Sequence, residues 1–232
     1  MSQGQAGASE AAAPFTLDQA VGEYAGQRVL GPLSLQIVPG QRVALIGRSG
    51  VGKSTLLSLM QRTWRDRVAL VPQALGLVDT LSVLHNVYIG QLDRHPFWYN
   101  LLSLARPFRR EREAIGNTLS ALGMQAWLAQ RAGELSGGQR QRIAIARALY
   151  QQAGSARPLM LLADEPVSAL DGALSETVMG LLVKHFSTAA IALHDVELAL
   201  RYCDRIIGLQ DGAIAVDRPS RELVASDLDW LY

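Results

Sequence analysis

The 232-residue sequence has a single cysteine, no long apolar run and almost no net charge. Because Cys203 has no partner, it cannot form an internal disulfide, which fits a reducing compartment. The formal net charge is +1, so no global basic field supports nucleic-acid binding. No apolar run approaches the ~20 residues that span a bilayer, and no secretory signal is visible. These absences predict a soluble cytoplasmic protein that reaches a membrane only through a partner.

Short apolar runs, each the length of a buried strand, alternate with helical stretches along the chain. The runs are 43–46, 68–71, 159–163, 189–193 and 205–209. This alternation predicts an α/β core with a largely parallel sheet, and β character is expected to begin at Tyr24. Residues 1–14, rich in Ala, Gly, Ser and Gln, are predicted to be a flexible tail. Residues 15–232 are predicted to form one domain, with a helical insert at about 76–150.

A glycine-rich turn between a predicted strand and a predicted helix matches the phosphate-loop pattern G-x-x-x-x-G-K-[ST] without a mismatch. Its residues are Gly47-Arg48-Ser49-Gly50-Val51-Gly52-Lys53-Ser54. Glycines let successive N–H groups turn inward onto a polyphosphate, and the following helix adds its dipole. Lys53 is predicted to reach the β- and γ-phosphates of ATP, and the Ser54 hydroxyl to bind Mg²⁺. The candidate nucleotide-binding residues are Gly47, Ser49, Gly50, Gly52, Lys53, Ser54 and Thr55.

Two carboxylates, Asp164 and Glu165, end the apolar run 159–163. An acid at the carboxyl end of a central strand lies where α/β sheets bind ligands. Asp164 is predicted to hold the Mg²⁺ shell, and Glu165 to orient and polarise the water that attacks the γ-phosphate. An Asp-Glu pair after an apolar run is by itself weak evidence for a nucleotide-hydrolysing site. It becomes strong evidence when it follows a complete phosphate loop in the same chain.

A third motif resembles the signature sequence of ABC ATPases. It reads Leu135-Ser136-Gly137-Gly138-Gln139 and is followed by Arg140-Gln141-Arg142. Ser136 and the two glycines open a helix, so hydroxyl and N–H groups form an anion site there; the plain alternative is an ordinary helix N-cap. The resemblance implies a P-loop NTPase (RecA-like) core with a helical subdomain. It also implies a head-to-tail dimer in which Ser136, Gly137, Gly138 and Gln139 close on ATP bound by the other subunit.

The same resemblance places four further residues. Gln73 is the glutamine expected to link the catalytic metal site to the helical insert, and Asp171 the acid expected to reach across the dimer interface. His194 is implied to contact the γ-phosphate, and Tyr24 to stack on adenine. Judged without the resemblance, a histidine after a strand is usually structural, and Tyr24 could be a partly buried strand residue.

One stretch departs from the family pattern. Only twenty positions separate Lys53 from Gln73, whereas most ABC ATPases have roughly twice as many, including a small antiparallel hairpin. We therefore predict a reduced antiparallel β region with the catalytic set intact.

The implied function is that of the ATP-hydrolysing motor subunit of a bacterial importer. The stretch from Gly90 to Trp98 and the pair Leu231-Tyr232 resemble phosphonate importer ATPases, which favours phosphonate or phosphite as cargo. Such a subunit would work with a second ATPase subunit and permease subunits, indirectly with a periplasmic or surface solute-binding protein, and without nucleic acid. It would lie at the cytoplasmic face of the inner membrane. An importer ATPase for another small solute and a soluble ABC ATPase without a permease remain the alternatives.

Overall fold

The computed structural model describes residues 13–105 and 107–232. Its strands are β1 (Phe15–Tyr24), β2 (Gln27–Ile37), β3 (Arg42–Ile46), β4 (Val68–Val71), β5 (Met160–Asp164), β6 (Thr188–Ala192), β7 (Arg205–Gln210) and β8 (Ala213–Pro219). Its α-helices are α1 (Lys53–Thr63), α2 (Val83–Tyr88), α3 (Phe97–Ala105), α4 (Arg109–Ala121), α5 (Gly137–Ala153), α6 (Gly172–His185) and α7 (Val196–Tyr202). Short 3-10 turns join several of them.

A six-stranded sheet in the order β4-β5-β6-β3-β7-β8 forms the centre of the molecule. The first five of these strands run parallel, and β8 pairs antiparallel with β7 at the edge. Every residue of β5 and β6 is buried, as expected for parallel strands covered on both faces. The predicted α/β class with a largely parallel sheet is confirmed.

The two faces of the sheet pack against different elements because strand side chains alternate in direction. Val43 and Leu45 of β3 face the cluster that contains α1 and the β1–β2 hairpin. Ala44 and Ile46 face the opposite cluster, to which α2, α4, α5, α6 and α7 contribute. The parallel pairing places the carboxyl ends of β3, β5 and β6 together at one edge of the sheet.

The antiparallel region is as short as predicted. Between Lys53 and Gln73 the chain forms only α1, a 3-10 turn at Arg65–Arg67 and β4. Within residues 13–105 and 107–232, the separate antiparallel sheet has two strands, β1 and β2. The expectation that β character begins at Tyr24 was wrong, because β1 begins at Phe15 and ends at Tyr24. Phe15 and Leu17 are buried and Thr16 is exposed, an alternation that could have revealed the strand.

The stretch 76–150 contains α2, α3, α4 and most of α5, and no strand among its described residues. Helix α5 continues to Ala153, three residues past the end of that stretch. Residues 1–12 of the expected tail lie outside the described residues, and the Ala13 carbonyl accepts a hydrogen bond from Arg67 Nη2 at 2.7 Å. In the part of the chain that the structure describes, none of the helices has the length and apolar character needed to cross a bilayer.

The short link after α1 depends on an aromatic contact. Trp64 is 6% exposed, and its ring packs edge-on against Phe15 with a centroid distance of 5.2 Å. We expect Trp64→Ala to lower the free energy of unfolding by about 3 kcal/mol, since it opens a cavity between the hairpin and α1. Urea unfolding followed by circular dichroism measures this loss. Trp230→Ala, at a position 52% exposed, is the matched control, and an equal loss in both variants contradicts the prediction.

Candidate nucleotide-binding and hydrolytic site

The phosphate loop joins β3 to α1 in a conformation that needs glycine. Gly47 has φ 135° and Gly52 has φ 110°, both in the region that side chains strongly disfavour. A Cβ on Gly47 would lie 2.5 Å from the Leu209 carbonyl oxygen, and a Cβ on Gly52 2.7 Å from Leu30 Cδ1. Neither position has room for a side chain, so the loop backbone packs directly against β7 and β2.

Lys53, the first residue of α1, lies inside this loop and is 5% exposed. Its Nζ donates hydrogen bonds to the carbonyl oxygens of Gly47 at 2.6 Å and Arg48 at 3.1 Å. Burial lowers the pKa of the ammonium group, and the nearby charges of Glu165 and Asp164 oppose this shift. The cation is therefore held beside the loop backbone on the side of the two carboxylates.

Asp164 ends β5 and is buried beside the start of α1. Burial raises the pKa of its carboxyl, while a hydrogen bond from the Ser54 hydroxyl and the charge of Lys53 oppose that shift. Its Oδ1 atom is buried and has no hydrogen-bond partner. A buried carboxylate oxygen without a donor is costly, which indicates that a further group binds there.

Glu165 and His194 form a direct pair at the same sheet edge. His194 Nε2 lies 2.6 Å from Glu165 Oε1, and the Glu165 N–H donates to the Ala192 carbonyl at 3.1 Å. Because β6 lies between β3 and β5, the loop after β6 brings His194 between the phosphate loop and the carboxylates. Three segments distant in sequence thus converge on one place.

The signature segment begins α5 with a complete capping box. The Ser136 hydroxyl accepts from the Gln139 N–H at 3.4 Å, and Gln139 Oε1 accepts from the Ser136 N–H at 2.9 Å. Gly137 is exposed, with open space where a Cβ would stand. Gly138 packs closely against the Ala169 carbonyl oxygen, 2.8 Å from the position of a Cβ. Within one chain this segment therefore contacts the loop that follows Glu165.

Among the described residues, the other predicted site residues form no hydrogen bond with the side chains of Lys53, Glu165 or His194. Tyr24 is 74% exposed at the end of β1, two residues after Gly22, which packs against Thr55. Gln73 is exposed just beyond β4, and Asp171 caps α6 by accepting the Leu174 N–H at 2.9 Å. Ser49 and Gly50 are exposed on the phosphate loop. Their roles stay predictions, because each requires a nucleotide or a second subunit.

Two further side chains of α5 contact the site, and sequence reasoning assigned neither of them a role. Gln141 Nε2 donates to the Glu165 carbonyl at 2.6 Å, and its Oε1 accepts from the Ala169 N–H at 2.9 Å. Arg147 donates to the carbonyls of Leu75 and Gly76 at 2.6 and 2.7 Å, just after Gln73. The available signal was that Gln141 is in helical register with apolar positions such as Ile145 and Ala148.

The family model for ABC transporters matches residues 30–64 and 60–168. This chain belongs to the ABC transporter family. The phosphonates import ATP-binding protein PhnC 1 of Pseudomonas aeruginosa is 38% identical over 236 residues, which are 89% of this chain and 86% of that protein. The corresponding protein of Burkholderia pseudomallei is 38% identical over 240 residues, 89% of this chain and 76% of its own length.

Solved structures of ABC cassettes have the same fold. The dimeric structure of MJ0796, a bacterial ABC transporter cassette, matches with a TM-score of 0.74 and 26% identity, over 89% of this chain and 98% of the other. The dimeric post-hydrolysis state of MJ0796 bound to ADP and Pi matches with a TM-score of 0.71 and 27% identity over the same shares. The chain is an ABC-type ATPase with a P-loop NTPase fold, as the signature motif predicted.

Proposed function

We propose that this ABC ATPase powers the import of phosphonate or the related phosphite through a membrane permease. The proposal of ATP hydrolysis at this site rests on the convergence of Lys53, Asp164 and the Glu165–His194 pair at one edge of the sheet. The cargo rests on the relatives that are 38% identical over most of the chain and carry phosphonate import in their names.

ATP would bind with its phosphates against the loop from Gly47 to Gly52. Binding would transfer the Lys53 ammonium from the loop carbonyls to the β- and γ-phosphates, a short movement for a group already beside the loop. Tyr24 has the exposed ring surface to stack on adenine, and Ser49, Gly50 and Thr55 supply polar groups around the phosphates. The exchange of hydrogen bonds at Lys53 links nucleotide binding to the shape of the loop.

The residues present also fit a Mg²⁺ ion. The unpartnered Oδ1 of Asp164 and the Ser54 hydroxyl on the same carboxyl are oxygen ligands of the kind Mg²⁺ prefers, and Gln73 would contribute from the end of β4. When bound, the ion would neutralise charge on the β- and γ-phosphates.

Hydrolysis requires a water aligned with the γ-phosphate, and Glu165 is the group placed to orient it. Its carboxylate would accept a hydrogen bond from that water and favour its attack. His194, 2.6 Å from the same carboxylate, would fix the orientation of Glu165 and offer its ring to the γ-phosphate. The pair supplies both the positioned base and a donor where negative charge accumulates.

The working unit would be a head-to-tail dimer with two ATP molecules between the subunits. Ser136, Gly137, Gly138 and Gln139 of each subunit would close on the γ-phosphate of the ATP bound by the other, and Asp171 would cross the interface. The exposed helix N-terminus at Gly137 supports this, since free N–H groups and the helix dipole favour an anion.

Residues 15–232 would act as one ATPase domain, with the subdomain at 76–150 moved through Gln73. The permease would contact the exposed apolar face of α3, where Phe97, Trp98 and Leu101 project into solvent, because exposed apolar surface marks an interaction site. The ATPase would then lie at the cytoplasmic face of the inner membrane, as a peripheral subunit that meets a solute-binding protein only indirectly.

Growth of the source organism tests the cargo. With Glu165→Gln replacing the native copy, we expect growth to be lost on methylphosphonate and phosphite as sole phosphorus source and retained on phosphate. Glu113→Gln, at an exposed position of α4, is the matched control and should grow on all three. Normal growth of the Glu165→Gln strain on all three sources would exclude phosphonate import as the function. The ATPase activity would then serve another solute or a process without a permease.

A further inference from the structure

Gln141 makes the most specific unassigned contact in the site. It lies one turn into the signature helix and is 4% exposed. Its amide forms two hydrogen bonds to the backbone of the loop that follows β5. The amide nitrogen donates to the Glu165 carbonyl at 2.6 Å, and the amide oxygen accepts from the Ala169 N–H at 2.9 Å. A buried amide costs free energy unless both its nitrogen and its oxygen are hydrogen-bonded. Here both atoms bind the loop that contains the catalytic carboxylate.

The backbone that Gln141 holds is strained. Glu165 has φ 51°, a left-handed conformation that costs a residue other than glycine free energy and persists only where the surroundings impose it. Its carbonyl also accepts from the Ser168 N–H at 3.3 Å and the Ser168 hydroxyl at 3.1 Å. The shorter bond from Gln141 comes from a different element, so it fixes the carbonyl of Glu165 relative to α5.

The same helix contacts the loop a second time. Gly138 approaches the Ala169 carbonyl closely enough that a Cβ would stand 2.8 Å from it. Gln141 therefore binds the N–H of Ala169, and Gly138 packs against its carbonyl, in the segment that leads to Asp171. A displacement of the signature helix would move this segment and the Glu165 backbone together.

We propose that Gln141 is a positioning residue that makes the hydrolytic geometry of Glu165 depend on the placement of the signature helix in the same subunit. The proposal rests on the proposed dimer, in which that helix closes on the ATP of the other subunit. When the signature helix closes on the ATP of the other subunit, it would also fix the position of the Glu165 backbone in its own subunit. The buried Gln141 amide would in this way couple the two ATP sites.

The first test compares two glutamines of the same helix. Gln141→Met has similar size and removes both hydrogen bonds, and we expect kcat for ATP hydrolysis to fall by about 10- to 100-fold with a smaller change in KM. Gln152→Met removes one hydrogen bond, to the Leu159 N–H at 2.9 Å, far from Glu165, and should keep the native kcat. Gln141→Glu keeps the acceptor for Ala169 and loses the donor to Glu165, so its kcat should also fall. Thermal unfolding of all three variants separates this effect from general destabilisation.

The second test asks which subunit Gln141 serves. Mixed dimers are isolated through two affinity tags, and single-turnover hydrolysis is measured. In one, Gln141→Met and Glu165→Gln share a subunit beside a native one; in the other, they occupy opposite subunits. We expect the first mixed dimer to hydrolyse ATP at the rate of a dimer of one native and one Glu165→Gln subunit. The second mixed dimer should be about 10- to 100-fold slower, because the subunit with its one active Glu165 lacks Gln141.

Each outcome separates the two proposals. Equal rates in the two mixed dimers, or an unchanged kcat in Gln141→Met, overturn the positioning role while leaving the ATPase mechanism in place. Loss in the dimer that carries both changes in one subunit assigns Gln141 to the signature contact instead and also overturns the proposal. If the native chain forms no ATP-dependent dimer, the proposed working unit itself is wrong, and the coupling between sites with it.

Discussion

Glu165→Gln should slow ATP hydrolysis by about 100- to 1,000-fold while the chain still binds ATP. An amide cannot accept a proton from the attacking water at neutral pH, whereas it keeps the size of the side chain and a contact with His194 Nε2, 2.6 Å from Glu165 Oε1. The measurement is phosphate release at saturating ATP, with binding followed by a fluorescent nucleotide.

The same variant should accumulate as an ATP-bound dimer in size-exclusion chromatography, because hydrolysis no longer reopens the interface. Glu113→Gln, on the exposed face of α4, is expected to hydrolyse ATP at the native rate. Native phosphate release by the Glu165→Gln protein would show that another group orients the water, and the assignment of Glu165 would then be wrong.

Lys53→Met is expected to weaken ATP binding by about 10- to 100-fold, since a hydrogen bond to a charged group is worth about 1.5–3 kcal/mol. The lysine is buried, and its ammonium now binds the carbonyls of Gly47 and Arg48, so methionine fills the space but offers no donor to the phosphates. Isothermal titration with ATP measures the loss. Hydrolysis should fall further, because charge on the γ-phosphate is no longer offset.

The sequence contains only one other lysine, Lys184, which lies exposed in the last turn of α6. Lys184→Met is therefore the matched control and should bind ATP as the native chain does. An equal loss of affinity in the two variants would point to a general electrostatic effect and contradict the specific role of Lys53.

Most of the parallel sheet was predictable because its strands are buried on both faces and appear as short apolar runs. The run 68–71 matches β4 residue for residue, and the run 159–163 is displaced from β5 by one position. Strand β8 was not predicted, because the side chains of this edge strand alternate only between exposed and half-buried positions. Its backbone hydrogen bonds come from pairing with β7, which the local sequence does not show. The start of β1 at Phe15 was missed because its alternation of buried and exposed residues covers only Phe15 to Leu17 and breaks at Asp18 and Gln19.

For the site, motifs identified the candidate ATP-binding groups, and the structure showed how those groups lie relative to one another. Asp164 and Glu165 are adjacent in sequence, yet one is buried beside Ser54 and the other pairs with His194. Sequence spacing could not show that Gln141 reaches the backbone of Glu165, because the contact joins residues 24 positions apart on different elements.

The sequence by itself determined the chemistry of this protein: a phosphate loop, a carboxylate pair and a signature motif, each of which depends on consecutive residues and local backbone geometry. It also determined the shortened link between α1 and β4, since twenty residues leave no room for a further hairpin. Only the tertiary structure decided the order of strands that places His194 between the phosphate loop and Glu165, and the hydrogen bonds from α5 that hold the strained backbone. Those contacts join distant segments, and their energies depend on burial that no local pattern records.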